Sequence, residues 1–108
     1  RVAALIGVDV AVVVSDTFGR AWRLGQTDVA IGVAGIDPFV DYRGTTDEQG
    51  RTMTATRICI ADELAGAAEM VMGKAEGVCA AVVKGARVTR ARGAATQIVR
   101  PPSEDLFR

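Results

Sequence analysis

The amino-acid sequence predicts an α+β fold: a mixed sheet with a β-hairpin and one main helix. Three features carry that expectation. Residues 8–15 (VDVAVVVS) form a β-branched run, the pattern of a strand buried on both faces. From about residue 57 the apolar positions instead recur at three- and four-residue steps, the period of a helix. The resulting order of strand, strand, hairpin, helix and strand is not a regular βαβ alternation.

The elements follow in order. The first strand is expected to stop at Asp16, Thr17, Phe18, Gly19 and Arg20, where polar residues and a glycine announce a turn, with residues 22–27 as loop. Residues 28–36 (DVAIGVAGI) are apolar but interrupted by Gly32 and Gly35, which predicts a strand with a bulge or a close backbone approach. Asp37 and Pro38 start a turn. Residues 39–43 and 51–56 read as the arms of a hairpin around the polar loop 44–50. Ile58, Ala61, Leu64, Ala65, Ala68, Val71 and Met72 make the apolar face of the helix, with Thr56 as N-cap and Gly73 as C-cap. Residues 77–84 read as a further strand and residues 97–100 as a short last one.

Composition narrows the function. The chain has 108 residues, enough for one small domain, and 49% of them are apolar, enough for a packed interior. Thirteen basic residues balance thirteen acidic ones, which gives no electrostatic footprint for nucleic acid or an anionic membrane. The stretch 84–100 is locally basic through Arg87, Arg90 and Arg92, the pattern of a solvated surface or flexible tail, with contact to phosphate or a carboxylate-rich ligand as the alternative. With no histidine and no CxxC, a zinc site or a histidine-based triad is excluded within the chain. Cys59 and Cys79 lie in apolar surroundings and read as small core residues, so a reducing, cytoplasmic setting is expected.

Candidate chemistry begins at Asp16 and Thr17. A carboxylate and a hydroxyl held where a buried strand ends can offer oxygen ligands to a hard divalent cation, although Asp-Thr at such a place also makes a plain Asx turn. Asp28, Asp41 and Asp47 with Glu48 form a scattered acidic set, each explicable as a loop or surface carboxylate. Asp62 and Glu63 favour the positive end of the helix dipole, where capping and solubility explain them; Glu69 lies further along the same helix. Met72, Gly73, Lys74, Ala75, Glu76 and Gly77 join helix to strand through two glycines. They lack the GxxxxGK[ST] spacing, and read either as a helix stop or as a backbone nest over a nucleotide.

The phrases VDVAVVVSDTFGRAWRLGQTDVAIGVAGI, DYRGTTDEQGR and ADELAGAAEMVMGKAEG, in that order, closely resemble the later part of the coenzyme F420-0:L-glutamate ligase family, comprising CofE and the N-terminal ligase domain of FbiB. The resemblance runs from about residue 8 to residue 85. It implies a truncated CofE-like fold: residues 1–100 as a partial γ-glutamyl ligase domain lacking its N-terminal part, and residues 101–108 as a linker towards a C-terminal nitroreductase-like domain. It also implies a cytoplasmic homodimer that uses GTP with Mg2+ or Mn2+, and K+ as a further candidate ion, to join L-glutamate to coenzyme F420-0. By resemblance, Asp16 and Thr17 occupy metal-ligand positions and residues 72–77 line the GTP site. Some relatives carry a metal-contacting acid or amide near position 74; a charged lysine cannot ligate, so no second-metal ligand carries over to Lys74. Arg20 or Arg23 could meet an anionic group, or serve the surface.

Two other functions compete with this expectation. The segment could be a scaffold and dimerisation piece of that enzyme, carrying no substrate chemistry. An independent flavin or nicotinamide oxidoreductase fits poorly, since no GxGxxG follows a strand.

Overall fold

The alternation of half-buried and exposed side chains along residues 12–20 marks a strand with one covered face, not one buried on both. The computed structural model describes residues 10–73 and 77–104. Strand β1 (Val12–Arg20) pairs antiparallel with β2 (Arg23–Ala34), leaving only Ala21 and Trp22 for the connection. Residues 16–20, expected as a turn, therefore continue the strand, and most of the expected loop 22–27 belongs to β2. Neither connecting residue has a positive φ; instead the ladder slips between Gly19 and Arg20, leaving Leu24 and Gly25 unpaired, and Gly25 takes φ 88°. The start of the expected first strand, residues 8 and 9, lies outside the described residues.

The irregularity expected in residues 28–36 is present. Val14 pairs with Gly32 but Ser15 pairs with Ala30, so Ile31 has no opposite number and bulges from the ladder. Close approach is present as well: a Cβ built on Gly32 would stand 3.2 Å from Cβ of Val14.

The second hairpin is longer than expected and paired differently. Strand β3 (Phe39–Asp41) meets β4 (Arg57–Cys59), with Phe39 opposite Cys59 and Asp41 opposite Arg57. Residues 51–56, expected as the returning strand, are irregular, although the arms stay linked. Tyr42 N–H donates to the Thr56 carbonyl at 2.9 Å, Gly44 N–H to Met53 at 2.7 Å, and Thr46 bridges Thr52. The Arg57 guanidinium lies 4.1 Å from the centre of the Phe39 ring, a cation–π contact across the two strands.

Helix α1 (Ile60–Met72) begins where that ladder ends. Because residues 57–59 pair with β3, Thr56 cannot cap the helix; Cys59 occupies the N-cap position and makes no side-chain capping bond. At the other end Gly73 has φ 67° and its N–H reaches the Glu69 carbonyl at 2.9 Å, as a terminating glycine should. The helix lies on the β1–β2 hairpin and buries Ala61 and Ala65. These small residues let the helix backbone come close to the sheet.

Ile36 and Pro38, in the junction between the hairpins, are the largest fully buried side chains. Full burial of such an isoleucine contributes about 2 kcal/mol. A strap from the later chain crosses this junction. Asp37 N–H donates to Thr89 at 2.8 Å, Ile36 bridges Arg90, and Gly93 packs directly on the Ile36 carbonyl.

The mixed sheet is thus corrected: the described residues form two separate two-stranded antiparallel sheets and one main helix, still an α+β arrangement. Residues 77–84 are not a strand but an exposed, irregular segment, since no neighbouring strand among the described residues accepts its ladder bonds. Residues 97–100 are likewise not a strand; a 3-10 turn (Ala95–Gln97) stands there, held by the Gln97 side chain accepting from Ala94 N–H at 2.8 Å. Cys79 is exposed and Cys59 only half-buried, so neither is the expected core thiol. A second 3-10 turn covers Pro102–Glu104. No helix among the described residues is long and apolar enough to cross a membrane.

Candidate functional site

Adjacent residues of a strand point to opposite faces, and this decides how the expected cation ligands are presented. Thr17 faces the helix side of the β1–β2 hairpin and is half-buried. Asp16 faces the other side and is exposed. Its Oδ1 accepts the N–H of Thr17 at 2.8 Å, the local turn-like bond that Asp-Thr often makes. The two side chains therefore do not converge on one point. They also stand in the middle of β1, not at its exit.

Thr17 instead converges with residues from two other elements. With Gln26, Thr27 and Asp28 of β2 and Glu69 of α1 it lines an open depression of about 480 Å³. Asp28 is opposite Thr17 in the ladder and is 4% exposed, the one buried charged residue among those described. Its Oδ1 accepts the Thr17 hydroxyl at 3.2 Å and its Oδ2 accepts the Ser15 hydroxyl at 3.4 Å. Asp28 is thus not the loop or surface carboxylate expected. Alternation in β2 would favour Val29, Ile31 and Val33 for the covered face and so point Asp28 outward; the bulge and the register that set it against Ser15 and Thr17 could not be read from the sequence.

Asp62 is also more than a first-turn charge. Its Oδ1 accepts the Ala30 N–H at 2.9 Å, beside the bulge, and so ties the helix to β2 two residues from Asp28. Glu63 is exposed, in keeping with a surface role.

The remaining acids are local. Asp41 pairs with Arg43 at 2.6 Å, and the hydrogen bonds from that guanidinium hold its carboxyl down to about 2. Asp47 accepts the N–H groups of Gln49 and Arg51 at 2.9 and 2.8 Å and shapes the hairpin tip, while Glu48 is exposed. Cys59 has its thiol pKa pushed up, chiefly by burial.

Of the expected nucleotide segment, Met72 is half-buried, Gly73 ends the helix, and Gly77 has φ 71°. Lys74, Ala75 and Glu76 lie outside the described residues. Arg20 is half-buried and Arg23 exposed, paired with each other across the tight connection. Arg87, Arg90 and Arg92 are exposed, as a solvated basic stretch should be.

The donors around the depression are all oxygens from hydroxyl, amide and carboxylate groups, the set that Mg2+ and Mn2+ prefer. These residues fit a hard cation. No cluster of three or more His, Cys, Asp or Glu arranged to hold a metal occurs among the described residues, so any such site would draw on hydroxyls or amides as well.

Comparison with known proteins places the chain in a lineage. The family model described as F420-0:gamma-glutamyl ligase matches residues 1–85. Three similar proteins are all named coenzyme F420:L-glutamate ligase. That of Methanothermobacter thermautotrophicus is 45% identical over 105 residues, covering 94% of this chain and 42% of the relative. That of Methanocaldococcus jannaschii is 42% identical over 109 residues, with 100% and 44% covered. For that of Methanopyrus kandleri the identity is 43% over 113 residues, with 100% and 45% covered. The chain thus spans less than half the length of these relatives, but the match runs through the whole β1–β2 hairpin and α1. The chain belongs to the F420-0:gamma-glutamyl ligase family.

Proposed function

We propose that this segment forms part of a ligase that joins L-glutamate to coenzyme F420-0, with GTP and Mg2+ or Mn2+, K+ being a further candidate ion. The names of the relatives support the reaction, and the oxygen-lined depression around Thr17 is the observation that supports its place in the fold.

Amide formation from an amine and a carboxylate in water is uphill, so the carboxylate needs activation. Transfer of the γ-phosphoryl group of GTP to the acceptor carboxylate would give an acyl phosphate and GDP. The glutamate amine then attacks the acyl carbon, the C–N bond forms, phosphate leaves, and the amine gives up a proton. A bound divalent cation would neutralise charge on the β- and γ-phosphates during the transfer. This chain's own part is positional. Thr17 would supply a hydroxyl ligand from within the depression and Asp16 a carboxylate from the other face of β1, each at its own place. Gly73 and Gly77 would bring backbone N–H groups towards the nucleotide. The apolar side chains Val14, Phe18 and Ile31, exposed on the hairpin, support the homodimer that belongs to the same proposal. A cytoplasmic location belongs to it too.

The test is Asp16→Ala in a ligase of full family length that carries this segment. GTP-dependent glutamylation of F420-0 should be abolished while the fold, read by circular dichroism, is kept. Undiminished turnover would show that Asp16 holds no ion the reaction needs.

A further inference from the structure

Asp28 is too deeply buried to serve as a solubilising charge. It is 4% exposed, and its two oxygens meet two hydroxyls of the opposite strand, from Thr17 at 3.2 Å and Ser15 at 3.4 Å. Both hydroxyls donate to the carboxyl oxygens of Asp28, and a hydroxyl has a single proton, so each turns that proton towards Asp28. A free threonine hydroxyl can rotate, and in some orientations its proton would face an incoming cation. Once donated to Asp28, the Thr17 proton is fixed inward, and the oxygen lone pairs are left for the depression that Gln26, Thr27 and Glu69 share.

We infer that Asp28 is a positioning residue: it orients the Thr17 hydroxyl so that its oxygen, not its proton, faces the cation of the ligase site. The inference rests on the functional proposal above and deepens it. Groups that orient a ligand from behind affect metal affinity by about 10- to 100-fold when removed. Ser15 shares the same carboxylate but does not line the depression. Its loss should therefore matter less.

The experiment measures Mn2+ binding by electron paramagnetic resonance of the free ion, with a non-hydrolysable GTP analogue, in a ligase of full family length carrying this segment. Thr17→Val, Asp28→Asn and their combination are compared, with Ser15→Ala as control and melting temperature recorded for each. The expected result is that Asp28→Asn weakens Mn2+ binding about 10-fold and adds nothing further in the Thr17→Val background, the non-additivity of two residues acting as one unit. Ser15→Ala should stay near wild type. Equal weakening by Asp28→Asn in both backgrounds would overturn the positioning role. If Thr17→Val weakens binding and Asp28→Asn does not, the positioning role alone falls. If Thr17→Val itself leaves Mn2+ binding unchanged, the assignment of Thr17 to the cation falls, and the role of Asp28 with it. Should Asp28→Asn not fold, Asp28→Glu, which displaces the carboxylate by one methylene, is judged against the same outcomes.

Discussion

The two hairpins handle their acidic residues in opposite ways. In the β3–β4 hairpin, Asp41 and Asp47 bind partners two to four positions away in sequence and stay near solvent. Along β1–β2, Asp28 binds hydroxyls 11 and 13 positions away, and Asp62 reaches an amide 32 positions away. The helix makes the difference. It covers one face of the first hairpin, and a covered carboxylate must find partners across the ladder because water cannot serve it. An open hairpin lets its carboxylates close local turns. A cleft with converging polar groups can therefore arise on the first hairpin, while the second supplies shape.

The largest effect should come at the junction that joins the hairpins. Gly93→Ala would push a methyl group onto the Ile36 carbonyl, where backbone cannot yield easily. Destabilisation of about 3 kcal/mol is expected, as for overpacking, measured by urea unfolding. A loss near zero would show that the two hairpins are not clamped by this strap. Next, Asp62→Ala would leave the Ala30 N–H without its helix partner. The expected cost is about 2 kcal/mol, the penalty of an orphaned buried donor, with faster hydrogen exchange at Ala30. Unchanged exchange would mean that the helix does not depend on this tether to cover the first hairpin.

The smallest effect belongs to the open hairpin. Asp41 is exposed, and its depressed pKa means that the Asp41–Arg43 contribution is present above the ordinary value of 3.8 and fades as pH falls towards about 2. Carboxyl NMR should place its midpoint near about 2, and Arg43→Ala should return it to the ordinary value. A midpoint already at the ordinary value would show that Arg43 is not held in place.

What could be read in the sequence divides along the same line. The helix followed from its period, and its end followed from Gly73. The bulge followed from glycines in an apolar run, and the polar tip of the second hairpin from its turn residues. Each of these is a local signal. The first hairpin departs from expectation because its far half is largely exposed and polar, so Asp16, Thr17, Gly19, Gly25 and Gln26 look like loop residues. Strand pairing, not side-chain character, keeps them extended. The site was half legible for a related reason. Thr17 stood out, but Asp28 and Glu69 join it only through ladder register and helix placement, which no single stretch encodes.

Ile31, the residue left unpaired at the bulge in β2, sets the parity of the pairs from Ala30 to Gln26. On the open side of the bulge the odd-numbered Val33 lies opposite Val13; on the turn side the even-numbered Ala30 and Asp28 lie opposite Ser15 and Thr17. Deleting Ile31 would leave those pairs intact, so a shortened β2 should still set Asp28 beside Thr17. Straightening β2 at full length would instead turn Val29 inward and Asp28 out to water. One supernumerary isoleucine thereby lets a chain with two incompatible alternations present a hydrocarbon end and a polar end on a single face.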